Sequence, residues 1–352
     1  MSILFKNDTG MLISTEQYLN SCSQMPDNSP KINKHLFDIF SPYATLTKKR
    51  KKTNLKEMEV EPKFLEFEKE VLFVEQEYTQ LVSLLRKQGY FKNLEHQNLD
   101  VKNVKALEAA DTVYTESGKH LIKNALGSNF GPTTIKYLQN SRYMFPENSE
   151  FFCKDVTEIG EHLKNRSFDL VLLDPPWWNK YIRRKKRKCE YGYEMMYNCD
   201  LRDIPIESLV TDAGVVVVWC TNSPQHLKYL LETIFPKWNI NFLCKFYWVK
   251  VTVYGDPVCK FSKPPGKQPF EQIIIGVRNK DLKARFDNSS KLLISVPSSI
   301  HSHKPPLVEV LQPFLPKNPK CLEIFARYLL PNWTSYGNEV LRFQHESLYS
   351  LC

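Results

Sequence analysis

Asp174-Pro175-Pro176-Trp177 closes the apolar run Phe168-Asp169-Leu170-Val171-Leu172-Leu173, and its residue types suit the gripping of a planar exocyclic amine. Each proline fixes φ and withholds a backbone donor, so the proline carbonyls and the Asp174 carboxylate are expected to face a ligand as acceptors. The amine of adenine is a poor nucleophile because its lone pair is delocalised into the ring. Asp174 and the Pro175 carbonyl can each take one N6 hydrogen, which favours rehybridisation as a methyl group arrives and stabilises charge building on nitrogen. Trp177 offers a flat face for the base, a contact worth about 1–3 kcal/mol in single-strand binders. The base must be unpaired or flipped out for the grip to close. This is the chemistry of an amino-group methyltransferase, and it requires no metal. Chance produces the tetrapeptide in about one chain in a thousand of this length. The structural alternative is a tight strand exit with Trp177 as a core aromatic.

A methyl donor needs its own site, yet no Gly-x-Gly-x-x-Gly follows any strand, and glycine is scarce at 12 of 352 residues. A carboxylate at a strand end can bind a ribose diol instead, and Glu323 in Cys321-Leu322-Glu323-Ile324-Phe325-Ala326-Arg327 has that position. Lys304, in His301-Ser302-His303-Lys304-Pro305, can meet a carboxylate at a helix start, where exposed backbone donors also favour an anion. For each, a paired surface charge is the competing assignment.

The elements that must position these residues are legible after Phe151. Candidate strands are Phe168–Leu173, Val215–Cys220, Phe242–Val249, Ile273–Val277, Leu292–Val296 and Cys321–Phe325. A helix beginning at Ser223, with Pro224 in its first turn, carries Leu227, Leu230, Leu231 and Ile234 on one face, and another follows Lys304-Pro305-Pro306. Alternation of strands and helices predicts an α/β, doubly wound, Rossmann-like domain, which binds ligands at the carboxyl ends of its strands. The organisation expected is a polar segment over 1–60, a mainly helical accessory domain over 61–150 and the α/β domain over 151–345. Pro62 to Gln88 reads as the clearest helix, its apolar residues spaced by three and four and stopped by Gly89, with a helix–helix contact as the expected use of its stripe.

Composition narrows the class further. With 42% hydrophobic residues the chain can build a large core, and it has neither a run of 18 apolar residues nor a secretory leader, so an intracellular protein without a membrane partner is expected. The nine cysteines include no Cys-x-x-Cys pair and are read as reduced thiols, with no metal site. A net charge of +9 suits a polyanionic partner. Lys48-Lys49-Arg50-Lys51-Lys52 reads as a nuclear-import signal or nucleic-acid arm, or else as a solvated run. Arg183, Arg184, Lys185, Lys186, Arg187 and Lys188, beside the tetrapeptide, are assigned to phosphate binding.

Taken with Ser302-His303-Lys304-Pro305, Leu322-Glu323-Ile324-Phe325-Ala326-Arg327, Pro331-Asn332-Trp333 and Gly337-Asn338-Glu339, the tetrapeptide makes the chain from about Phe151 to Phe343 resemble the MT-A70 family of adenine N6-methyltransferases. The resemblance implies a Rossmann-like fold with permuted motif order and S-adenosyl-L-methionine as cofactor. Carried over, Asp155 and Val156 flank the cofactor adenine, Lys304 meets the methionyl end, Glu323 and Arg327 hold the ribose region, and Asp174, Asn338 and Glu339 line the same pocket. Glu271 stands near the acceptor base, and Tyr191 or Tyr193 covers it. Tyr328-Leu329 replace the His-Asn that often follows the arginine. The long basic loop resembles one branch of the family, which implies 2'-O-methyladenosine of U2 small nuclear RNA as substrate, deoxyadenosine in DNA as the runner-up, and a nuclear location. A monomer is expected rather than an obligate heterodimer. Two readings compete: a catalytically silent nuclear RNA-binding scaffold, and methylation of a protein amide, against which the basic run argues.

Overall fold

The structure is a computed structural model that describes residues 2–25, 29–43, 62–93, 103–119, 122–178, 195–281 and 289–350. Both basic runs, Tyr191 and Tyr193 lie outside the described residues. The strands are β1 (Ile3–Lys6), β2 (Gly10–Ile13), β3 (Lys31–Ile32), β4 (Ala125–Asn129), β5 (Thr134–Leu138), β6 (Ser141–Phe145), β7 (Ser149–Cys153), β8 (Phe168–Leu173), β9 (Val210–Cys220), β10 (Asn241–Lys250), β11 (Phe270–Val277), β12 (Lys291–Ser295), β13 (Cys321–Ile324), β14 (Trp333–Tyr336) and β15 (Tyr349–Ser350). Eleven of them form one sheet in the order β1-β2-β12-β10-β11-β9-β8-β13-β14-β7-β4. All but β1, β11 and β4 run in one direction.

Strands covered on both faces read as continuous apolar runs, which is why β8 to β13 were visible in the sequence. On one face Leu170, Leu172, Val215, Val217 and Trp219 join a large core, and on the other Val171, Leu173, Val216 and Val218 join a second. The central strand β8 lies between β9, which follows it in the chain, and β13, which continues on the far side to β14. Strand order therefore reverses between β8 and β13, and such a point opens a crevice at the carboxyl ends. Asp174 and Phe325 are the residues leaving those two strands.

The N-terminal expectation needs revising. The boundary placed at 151 falls inside β7, and β1, β2 and β4 are strands of the central sheet. Helix α1 (Thr15–Cys22) precedes this region, and the described residues of 61–150 are only half helical: α2 (Pro62–Lys87) and α3 (Val104–Lys119) are followed by β4 to β7. The stripe of α2, with Phe67, Val71, Val74, Tyr78, Leu81 and Leu85, packs on Leu12, Tyr247, Val249, Phe270, Leu292 and Ile294, so the stripe covers the sheet, while the helix also neighbours the short helix Pro224–Tyr229. Glu70 of α2 accepts from Lys245 Nζ at 2.6 Å and from the Tyr247 hydroxyl at 2.5 Å, which fixes the rotation of the helix on β10. The helix expected after Pro306 is one turn, Val308–Leu311.

Among the described residues seven cysteines are free thiols, and all but Cys199 are buried. No described helix is long and apolar enough to cross a membrane.

Candidate active site

The Asp174 N–H donates to the Ile324 carbonyl at 3.3 Å, so the tetrapeptide leaves β8 tied to the end of β13. The Pro175 carbonyl accepts from the Trp177 N–H at 2.8 Å and the Pro176 carbonyl from the Met196 N–H at 2.9 Å. The carbonyls expected to be free for a ligand thus each hold one backbone donor, and only the second lone pair of each is left. The Asp174 carboxylate is the stronger candidate acceptor.

Trp177 also differs from the open stacking face expected of it. Its side chain is 6% exposed within a core that includes Leu173 and Val218. Its indole N–H donates to the Trp219 carbonyl at 2.8 Å, and its ring lies 5.1 Å from that of His226. A large aromatic so placed supports the tetrapeptide from behind. Trp177→Ala is therefore expected to lower folding stability by about 3–5 kcal/mol, read from denaturant unfolding. A loss below about 1 kcal/mol would contradict a core role.

Three charged side chains, from two strands and a loop, converge beside Asp174. Lys304 Nζ lies 3.3 Å from Asp174 Oδ1 and donates to Glu271 Oε2 at 2.5 Å, while Lys250 Nζ donates to Glu271 Oε1. Strand register explains the meeting: Glu271 pairs with Trp248, and Lys250 follows two residues on, hence on the same face. Burial raises the Asp174 carboxyl above its ordinary value, against the pull of Lys304 and Arg327. Burial acts the same way on Glu271, but Lys250 and Lys304 outweigh it and hold that carboxyl well below the usual range. Burial opposes the charge on Lys304, which its two carboxylates nonetheless hold above the usual lysine value.

The neighbouring strand ends carry the other expected residues. Asp155, just beyond β7, accepts from Thr157 N–H at 3.0 Å and from Asn338 Nδ2 at 3.2 Å, joining the ends of β7 and β14. Burial would raise its carboxyl, but the bonds from Thr157 and Asn338 hold it below the ordinary value. Val156 beside it is buried. Arg327 Nε lies 3.3 Å from Glu339 Oε2, and Arg342 Nη1 is 2.5 Å from the other oxygen, so Glu339 sits between two guanidinium groups. Phe325, at the end of β13, has φ of 64°, unusual for a bulky residue. Gly337 opposite has φ of 154°, and a Cβ there would meet Phe325 Cα at 3.2 Å. Glycine suits this position, where a side chain would press on the facing backbone and strain the local conformation.

Glu323 lies inside β13, paired with Leu172 and Ser335, and is 4% exposed. Its Oε2 and the Ser335 Oγ are both buried without a hydrogen-bond partner among the described residues. Burial first, and then the Asp174 charge, push its carboxyl up to about 8.

The structure thus brings together Asp174, Lys304 and Glu271, and separately Asp155 with Asn338 and Arg327 with Glu339. Sequence reasoning missed Lys250, Ser335 and the left-handed Phe325. Lys250 carried one usable signal, a lysine ending the apolar strand that holds Trp248. Ser335 and Phe325 carried none, because register and backbone conformation alone give them meaning.

A mostly parallel sheet, a switch point at β8 and β13, and a carboxylate-rich crevice at the strand ends are consistent with a Rossmann-like methyltransferase. Within that class, residues 168–339 match the model of the MT-A70 family, and this chain carries an MT-A70 domain. The match begins at the first residue of β8 and ends at Glu339. The N(6)-adenine-specific methyltransferase METTL4 of Homo sapiens is 35% identical over 262 residues, covering 72% of this chain and 52% of the relative. The DNA N6-methyl methyltransferase of Caenorhabditis elegans is 31% identical over 245 residues, 67% of this chain and 65% of the relative. The N6-methyladenosine RNA methyltransferase MTA1 of Pyricularia oryzae is 33% identical over 227 residues, 61% of this chain and 58% of the relative. The chain spans about half the length of the human and mouse relatives it matches.

Proposed function

We propose that this chain is an S-adenosyl-L-methionine-dependent methyltransferase of adenine N6 in nucleic acid, acting on RNA and on 2'-O-methyladenosine of U2 small nuclear RNA in particular. The observation that carries the reading is the Asp174 carboxylate, fixed at the switch point and backed by Lys304. The residues present fit the cofactor. Glu323 Oε2 and Ser335 Oγ are buried neighbours without partners among the described residues, an acceptor and a hydroxyl that a ribose diol would satisfy. Asp155, Val156 and Asn338 would flank the cofactor adenine, Arg327 and Glu339 the ribose region, and Lys304 the methionyl carboxylate.

When bound, the cofactor supplies an electrophilic methyl on a sulfonium centre. The protein's own part is electrostatic and positional. Asp174 accepts one N6 hydrogen and stabilises positive charge building on nitrogen, while the remaining lone pair of the Pro175 carbonyl takes the other. Trp177 and His226 hold the tetrapeptide in place. Arg183 to Lys188, and Tyr191 or Tyr193, are assigned to the acceptor strand on sequence grounds. Nuclear location rests on the run Lys48 to Lys52, and the enzyme is taken to work as a monomer.

Deoxyadenosine in DNA is the second reading, favoured by the similarity to the DNA N6-methyl methyltransferase of Caenorhabditis elegans. The deciding experiment incubates the protein and S-adenosylmethionine with equimolar 2'-O-methyladenosine RNA, unmodified RNA and single-stranded DNA, and quantifies N6-methylated nucleosides by mass spectrometry. Product confined to the 2'-O-methyl RNA is expected. Predominant deoxyadenosine product moves the substrate to DNA, and no product on any of the three overturns the enzymatic reading.

A further inference from the structure

Two lysines share one carboxylate in the crevice. Glu271 holds Lys250 on Oε1 and Lys304 on Oε2, and Lys304 also faces Asp174, so charges alternate along Lys250, Glu271, Lys304 and Asp174. The two cations are seated on two indoles. Lys250 Nζ lies 4.5 Å from the Trp248 ring centroid and Lys304 Nζ 5.1 Å from that of Trp219, and the indoles meet edge to face at 5.5 Å. Lys250 has no bond to Asp174, and its carboxylate partner is Glu271.

The arrangement sets up a conflict. Lys304 is already committed to Asp174 and Glu271, yet the cofactor's methionyl carboxylate calls on the same ammonium group. Drawing it away leaves Glu271 a partly buried carboxylate, which is tolerable only if another cation stays in place. Lys250 is that cation, held by its own oxygen of Glu271 and its own aromatic face.

We propose that Lys250 is a positioning residue for cofactor capture: it keeps Glu271 neutralised so that Lys304 can transfer to the methionyl carboxylate, which also uncovers the Asp174 carboxylate for the exocyclic amine. The inference rests on the site being a cofactor-dependent methyltransferase centre. It assigns a task to a residue that acts through Glu271. It also implies order, with the cofactor binding before the base.

Calorimetric titration of the full chain tests this with two probes, S-adenosylmethionine and 5'-methylthioadenosine, which lacks the methionyl carboxylate. Lys250→Met is expected to weaken S-adenosylmethionine binding by at least about tenfold, the scale for losing one partner of a buried charge pair, and to leave methylthioadenosine unchanged. Lys250→Arg should bind like the wild type. The double variant Lys250→Met with Glu271→Gln should recover S-adenosylmethionine affinity to that of Glu271→Gln alone, because no bare carboxylate is left to compete for Lys304. Thermal melting of each variant checks folding, and if Lys250→Met fails to fold, Lys250→Gln takes its place in both backgrounds. Equal loss for both probes, unchanged S-adenosylmethionine binding, or a tenfold loss in the Glu271→Gln background would overturn the inference. A wild type that binds neither probe removes the cofactor reading itself, and this inference with it.

Discussion

Asp174→Ala is expected to abolish methyl transfer while leaving cofactor binding nearly intact. The carboxylate is the acceptor most available to the amine, because the Pro175 and Pro176 carbonyls each already hold a backbone donor. Losing one preorganised electrostatic contact in a water-poor site lowers kcat by about 10²–10³-fold, and here the charge opposing the developing cation goes with it. A loss of at least about 10³-fold in kcat is therefore expected, with cofactor affinity within about threefold of wild type. The reason for the second half is structural: with Asp174 removed, Lys304 keeps its bond to Glu271 and is no less able to meet a cofactor carboxylate. Asp174→Asn separates charge from shape. It can fill the same space, but its amide nitrogen offers donors, so it too should be silent. Single-turnover kinetics beside calorimetry measures both halves. Retained turnover in the alanine variant would remove Asp174 from the chemistry, and lost cofactor binding would make it a pocket residue instead.

The parts of the molecule that were legible in the sequence are those whose signal is local. Phe168–Leu173 reads as a strand because both its faces are buried, and the structure ends that strand at the same residue. Cys321 to Ile324, Ile273 to Val277 and the stripe of α2 are legible for the same reason. The N-terminal strands are not, because what makes them strands is distant. Met11 of β2 pairs with Leu293 of β12, and the local trace is Gly10, where any side chain would collide with the Leu292 carbonyl. The site divides along the same line. Asp174, Lys304 and Glu323 stand in short strings whose residue types suggest chemistry, whereas Glu271 entered only through the family resemblance. Lys250 and Ser335 acquire a part only through register, one beside Glu271 across β10 and β11, the other beside Glu323 across β13 and β14. Trp177 shows the reverse error. Its place in the motif suggested an exposed platform, whereas the need to anchor the Asp-Pro-Pro turn gives it a buried one.

Glu323→Gln is expected to stabilise the cofactor-free protein and to weaken cofactor binding, with the stabilisation growing as pH rises. Glu323 is buried in β13, one carboxyl oxygen lacks a partner among the described residues, and its carboxyl is pushed up to about 8 from an ordinary 4.5. A carboxyl whose folded value lies above its unfolded value binds more protons in the folded state. Stability then falls as pH climbs through 4.5 and levels off above about 8. Glutamine does not titrate, so its advantage over the wild type should be small near pH 5 and larger by about 3 kcal/mol near pH 8, at 1.36 kcal/mol per pKa unit. Urea unfolding of both proteins at the two pH values reads this directly. An uncompensated carboxyl in a core strand is a standing cost that an apolar or amide side chain would remove, so its presence calls for a gain elsewhere. Binding a ribose diol is that gain, since two hydroxyls would give the orphaned oxygen and its Ser335 neighbour their missing partners. The amide retains one acceptor but presents donors where the second oxygen stood, so S-adenosylmethionine affinity should drop by about tenfold or more. An advantage that does not grow with pH would mean that the carboxyl finds a partner in solution, and a stability gain with unchanged cofactor affinity would take Glu323 out of the ribose site.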